Sequence, residues 1–361
     1  MRHARLLPMA WCAILLLPGL PCDGGEQAAL LEVKIGQERH EGRVAAHDNQ
    51  TCWLLRRDGH LTSFRTDEVT DFHEIAPRFR PYSAIDIRDR LQEEFGRGFE
   101  VKTTAHYVVV AKRGSADRYA ALFERIYRQF HTYFTTRGFR STEPEFPLIA
   151  VVLPDERAFT EYCLGEGTKP QPGLVGFYLP HSNRVALYDR AAANQSTEDD
   201  VDNTVIHEGT HQVAFNTGVH SRIGPSPLWL VEGLATLFEV DAIRQRAAGD
   251  SALNRVNPDR LAWFREYRLR RPKKSLEAFV RGDSLFKKSA LDAYSQAWAL
   301  TFYLAETHPA ELASHIKKVA GRNPLEPYDE ETRLKDFRAA FGNDLDLVES
   351  GMLRFYDRLA Q

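Results

Sequence analysis

Cysteine is scarce in this chain: Cys12, Cys22, Cys52 and Cys163 are the four among 361 residues. They show no metal-ligand spacing, and they do not pair evenly once Cys12 is set inside an N-terminal apolar run. Neither a cysteine zinc site nor a disulfide scaffold is therefore expected. A Cys52–Cys163 bridge is the pairing an oxidising compartment would permit, and two buried thiols are the alternative. An excess of one charge is lacking as well. Lys and Arg number 47 against 50 Asp and Glu, a net −3, which leaves no global field to recruit nucleic acid or an anionic membrane. No nucleic-acid partner is expected. Beyond residue 20 no apolar run is long enough to span a bilayer, so the mature chain should carry no transmembrane span. Internal repeats and low-complexity tracts are absent too. The rest is ordinary: 43% hydrophobic and 27% charged residues suit a globular protein with a real core. The length suits one large domain or two smaller ones, and nothing in it sets an oligomeric state.

The first residues read as a targeting segment. Arg2, His3 and Arg5 precede an apolar run from Leu6 to Leu20, and polar sequence resumes at Asp23. Such a run is short for a membrane span and fits the core of a signal peptide over residues 1–22, which implies export to the periplasm or beyond. No small-x-small pair marks a cleavage site. A lipid anchor on Cys22 and an uncleaved N-terminal anchor are the rival readings, although Gly19-Leu20-Pro21 makes a poor lipobox.

Residues 28–76 read as a small β module. Leu31-Glu32-Val33-Lys34-Ile35 alternates, Cys52 to Leu55 is followed by a turn at Asp58-Gly59, and Leu61 to Phe64 and Val69 to Phe72 are further short strands. Short strands with Gly and Asp turns predict a small β-barrel-like unit, SH3-like in outline, serving as a binding surface or as a passive spacer. Ala76 to Pro81 reads as a linker. From residue 82 to 361 a mixed α/β half precedes a helical half, an α+β arrangement. Helices are expected over 84–95, 117–134, 156–163, 258–270, 290–306, 309–319, 331–341 and 345–359. Strands are expected over 106–111 and 148–153, with a hairpin formed by 174–179 and 184–188 around His181-Ser182-Asn183.

His207-Glu208-Gly209-Thr210-His211 carries the chemistry. On a helix, residues four apart share one face, about 40° apart and one turn above each other. Two imidazoles so placed fill adjacent corners of a zinc tetrahedron, while Glu208 stands where it reaches a water at the metal without ligating it. The helix is supported by the Thr197-to-Asp200 capping-box spacing and by Glu198, Asp199 and Asp200 in the first turn. Gly209 and Thr210 are poor helix formers and count against it. A surface helix with two unrelated histidines is the plain alternative.

A zinc site needs a third protein ligand. Glu232 lies 21 positions after His211, alone among Trp229, Leu230, Val231 and Leu234 in a helix opened by Ser226-Pro227. A carboxylate in such company is costly unless it is paired or metal-bound. An exposed stripe shared with Thr236 and Glu239 is the alternative. Thr236, one turn on, is a candidate for orienting a ligand from behind. The metzincin pattern fails, because Ala214 and Thr217 hold its Gly and His positions. His220, three residues too late, reads as a loop or rim residue and a fallback ligand.

His-Glu-x-x-His followed by Trp-Leu-x-Glu-Gly-x-Ala resembles the gluzincin metallopeptidases. Ile206 to Gln212, Phe215 to Gly218, Trp229 to Leu234 and Tyr294 to Leu300 look like the DUF1570 family, with a resemblance running from about Arg80 to the C-terminus. The resemblance implies a zincin-like domain over 82–361 with Zn2+ held by His207, His211 and Glu232. It implies peptide hydrolysis by a zinc-activated water, with Glu208 as general base, on a peptide or protein substrate. It also implies an oxyanion donor well downstream, for which Tyr294 stands at the right place; a half-buried packing tyrosine is the alternative. In the resembled fold an edge strand before the active-site helix binds extended peptide, which marks Arg184, Val185, Ala186 and Leu187; an ordinary core hairpin is the alternative. The basic run Arg265 to Lys274 reads as a solvated face. An exported non-catalytic binding protein with a structural or vestigial zinc site is the alternative function, and a zinc hydrolase acting on a non-peptide amide is a third.

Overall fold

The computed structural model describes residues 28–170, 173–189, 198–245 and 251–359. The expected signal segment, with Cys12 and Cys22, and the expected cap Thr197 lie outside the described residues. Two units divide the chain: residues up to Leu55 with Ser63–Arg80, and Arg56–Thr62 with Pro81 onward.

The first unit is built on strands β1 (Leu30–Ile35), β2 (Glu38–His47), β3 (Thr51–Arg56), β4 (Leu61–Arg65) and β5 (Val69–Ala76). Their order is β4-β3-β2-β1-β5, and β1 pairs antiparallel with both β2 and β5. Alternation puts Val33 inward with Cys52, Leu54 and Phe64, and with Leu31 and Ile35 at the margin. The expected barrel is corrected to an open sheet: β4 and β5 are its edges, and among the described residues they do not pair. Edge β5 carries exposed Asp71 and Glu74, charges that discourage further pairing.

In the second unit, α1 (Ala84–Phe95), β6 (Phe99–Thr103), β7 (Tyr107–Lys112), α2 (Ala116–Thr135), β8 (Leu148–Leu153), α3 (Glu156–Gly165), β9 (Gly176–Leu179) and β10 (Arg184–Tyr188) precede the helices. These are α4 (Glu198–Asn216), α5 (Leu228–Phe238), α6 (Asp241–Arg244), α7 (Pro258–Arg270), α8 (Leu276–Arg281), α9 (Ser284–Lys288), α10 (Ala290–Thr307), α11 (Pro309–Ala320), α12 (Glu330–Phe341) and α13 (Leu345–Leu359). The α+β arrangement holds. Short helices α6, α8 and α9 fall where periodicity is too brief to signal them.

The sheet runs β6-β7-β8-β10-β9. β8 is parallel to β7 and β10, whereas β6 and β9 are antiparallel additions. Its central strands are apolar without a break because both faces are covered. Tyr107, Val109, Leu148, Ala150, Val152, Val185 and Leu187 enter the core shared with α2, α4 and the helical half. Val108, Val110, Ile149, Val151 and Ala186 enter the core beside α1 and α3. The expected edge strand is corrected here: β10 is internal and β9 is the edge. Val185, Ala186 and Leu187 are fully buried, and Arg184 pairs with Glu94 of α1 at 2.6 Å. Cys52 and Cys163 are both free and buried. The basic run is largely neutralised, with Arg268 on Asp357, Arg270 on Asp292, Arg271 on Glu349 and Lys274 on Asp346.

Candidate metal centre

α4 brings His207, Glu208 and His211 into the second unit between the sheet and α5. The weak helix formers inside it have packing reasons. Gly209 faces α2, where a Cβ would stand 3.2 Å from Ile126 Cδ1. Thr210, buried, donates its hydroxyl to the Ile206 carbonyl one turn back at 2.7 Å. The far end of α4 is locked to the β9–β10 hairpin. Gln212, fully buried, donates Nε2 to the carbonyls of Ile149 and Asn183 at 2.9 and 2.8 Å. Asn216 exchanges side-chain hydrogen bonds with Asn183 at 2.7 and 2.9 Å. Asn183 holds the turn at φ 60°, a left-handed conformation that Asn tolerates better than most residues.

α5 supplies Glu232. It approaches α10 closely because Gly233 has no side chain: a Cβ there would stand 2.1 Å from Thr301 Oγ1 and 2.8 Å from the Ala297 carbonyl oxygen. The same packing carries Tyr294, in the first turns of α10, to the site.

His207, His211 and Glu232 form a cluster suited to a metal ion. His207 Nε2 lies 3.2 Å from His211 Nε2. Glu232 Oε2 lies 3.3 Å from the first nitrogen and 3.4 Å from the second. Donors about 2.0 Å from a tetrahedral zinc stand roughly 3.3 Å from one another, so the three atoms already have the spacing of three corners. Glu232 Oε2 is buried without a hydrogen-bond partner, a state that a cation relieves. Burial alone would raise the Glu232 pKa, but His211 and His207 hold it well below the carboxylate range. Burial alone would depress His207, yet Glu232 and Glu239 raise it to about 10. Each partner thus favours the charged form of the other.

Glu208 stands outside this triangle. Burial raises its pKa against the pull of His207 and His211. Tyr294 is half-buried, its ring centroid 6.2 Å from that of His207. Burial, together with the Glu232 and Glu208 carboxylates, raises its pKa and keeps the phenol protonated. His207, Glu208 and Tyr294 line a cleft of about 710 Å³, whose lining also includes Leu174 to Gly176, Asn257 and Arg260.

Three sequence expectations change here. Thr236 is fully buried, and its hydroxyl donates to the Glu232 and Gly233 carbonyls at 2.7 and 3.1 Å. It supports helix α5 and bonds none of the three clustered side chains. The group behind His207 is Glu239, whose Oε1 lies 3.0 Å from His207 Nδ1. Its sequence signal was its place seven residues after Glu232, on the same helix face. His220 is buried, not on a rim. Burial and His211 lower its pKa to about 3, and both its ring nitrogens lack a partner. It does not join the three clustered donors. Arg184, Val185, Ala186 and Leu187 lie away from the cleft lining.

Residues 202–326 match DUF1570, a family of proteins of unknown function. The DUF1570 stretch runs from α4 past α11 and includes His207, Glu208, His211, Glu232, Glu239 and Tyr294. It is narrower than the resemblance read from the sequence, which began near Arg80. No curated protein matches the chain. No helix among the described residues is long and apolar enough to cross a membrane.

Proposed function

We propose that this chain is an exported zinc-dependent metallopeptidase, with a gluzincin-like site on a zincin-like domain. The observation that carries the reading is the triangle of His207 Nε2, His211 Nε2 and Glu232 Oε2, with sides of 3.2, 3.3 and 3.4 Å. Among the described residues no fourth His, Cys, Asp or Glu joins it, and three protein ligands are the set of a catalytic rather than a structural zinc.

Zinc held there supplies Lewis acidity and brings the pKa of a water molecule toward neutrality. The rest is done by the chain. Glu208, on the cleft wall beside His207, takes the proton of the attacking water and returns it to the leaving amine. Tyr294, kept protonated, donates its hydroxyl to the substrate carbonyl oxygen as charge develops there. The substrate lies along edge strand β9, whose Gly176 lines the cleft, with peptide backbone pairing to strand backbone.

Elemental analysis and cleavage of an unbiased peptide library, with a chelator control, test the reading. One zinc per chain and chelator-sensitive cleavage are expected, with cleavage abolished and zinc retained in Glu208→Gln. Zinc in the protein with no peptide cleaved would overturn the peptidase reading, as would full activity in Glu208→Gln.

A further inference from the structure

The proposed chemistry leaves Glu239 without a part. It follows the last turn of α5, and its side chain is 13% exposed. Four donors converge on its carboxylate. Oε1 faces His207 Nδ1 at 3.0 Å and accepts from Arg260 Nη2 at 2.9 Å. Oε2 accepts from Asn257 Nδ2 at 2.8 Å and from Arg260 Nε at 3.2 Å. Asn257 is the N-cap of α7, its Oδ1 taking the Arg260 N–H at 3.1 Å. That bond fixes which end of the amide faces Glu239. A bidentate guanidinium and an amide N–H together keep the carboxylate ionised, so it only accepts hydrogen bonds. With Nδ1 as the donor to Glu239, the nitrogen of the neutral ring whose lone pair is free for a metal is Nε2. Nε2 is the nitrogen that meets His211 and Glu232.

We infer that Glu239 is a positioning residue of the metal centre: it fixes the tautomer and ring angle of His207, and Asn257 and Arg260 at the start of α7 hold it in place. The inference rests on the reading of His207, His211 and Glu232 as ligands. A carboxylate behind a ligating imidazole raises its basicity and fixes its orientation, and losing such a partner typically weakens metal binding about 10- to 100-fold. An ion pair that merely ties α5 to α7 would alter stability and leave metal affinity unchanged.

Competition with a chromophoric chelator on the full chain measures this. Glu239→Ala is expected to weaken zinc about 10- to 100-fold, and Glu239→Gln, whose amide oxygen still accepts from Nδ1, to recover most of the loss. Affinity in Glu239→Ala equal to that of the wild type overturns the inference. A second measurement needs no variant: cadmium–nitrogen spin coupling in wild-type protein labelled at histidine nitrogens. Coupling to Nε2 of His207 with the proton on Nδ1 supports the inference, and coupling to Nδ1 overturns it. Wild-type protein that takes up neither zinc nor cadmium overturns the metal-centre reading itself, before any variant is made.

Discussion

Gly233 and Thr301 meet so closely that a Cβ on the glycine would stand 2.1 Å from the threonine Oγ1. Their contact sets the distance between α5, which carries Glu232, and α10, which carries Tyr294. Gly233→Ala should therefore destabilise the fold by overpacking, by about 1 to 3 kcal/mol, and should weaken zinc uptake as α5 is displaced. Thr301→Ala in the same chain should recover only part of the loss, because the added Cβ would also stand 2.8 Å from the Ala297 carbonyl oxygen. Thermal denaturation of the single and double variants checks this; an unchanged midpoint in Gly233→Ala would show that the helices separate at no cost.

Metal removal gives a second test. A ligand that binds only the folded state stabilises it by mass action, about 2.7 kcal/mol at a hundredfold excess over Kd. Zinc added to the chelated protein should raise its melting midpoint with increasing concentration. His211→Ala should abolish that response, since it removes one corner of the triangle with His207 and Glu232. The measurement is a melting series against free zinc. An equal rise in His211→Ala would place the ion elsewhere.

Gln212 gives a third. Its side-chain amide is fully buried and holds the carbonyls of Ile149 and Asn183. Gln212→Leu removes a donor from both carbonyls, for a loss on the order of 2 to 6 kcal/mol at about 1 to 3 kcal/mol for each group so orphaned. Because Asn183 turns the chain from β9 into β10, peptide cleavage should fall further than the lost stability explains. Denaturant unfolding and cleavage at a temperature where the variant remains folded separate the two effects.

The parts of this site that were legible in the sequence are those set by local spacing. His207 and His211 share a helix face because they are four apart, and Glu232 stood out as a lone carboxylate in an apolar turn. Thr236 misled, because a buried hydroxyl is satisfied by the carbonyl one turn back, and the sequence does not show which way it turns. Glu239 entered only through the exposed-stripe alternative for Glu232; its partners Asn257 and Arg260 come from a helix that only tertiary packing brings near. Strand order is equally non-local. The hairpin was visible, but which of its strands pairs onward was settled by β8, although the unbroken apolar run Val185-Ala186-Leu187 already had the composition of a strand covered on both faces.

His315 gives a prediction in pH. It lies on α11, 2% exposed, stacked on Trp229 of α5 with ring centroids 5.8 Å apart and edge-on to Phe337 at 6.1 Å. Burial lowers its pKa to about 4, with Asp336 opposing and Lys318 assisting. The unfolded chain has the ordinary value near 6.5. Between pH 6.5 and 4 the unfolded state takes up a proton that the folded state refuses, so stability is intact above 6.5 and falls as pH drops through that window. The loss sums to roughly 3 kcal/mol at the lower end. His315→Phe keeps the ring stacking and removes the titration. The stability difference between wild type and variant should then move in favour of the variant as pH falls from 6.5 to 4, and level off below. Urea unfolding of both proteins across that range measures it, and a difference independent of pH would show that His315 is protonated equally in both states.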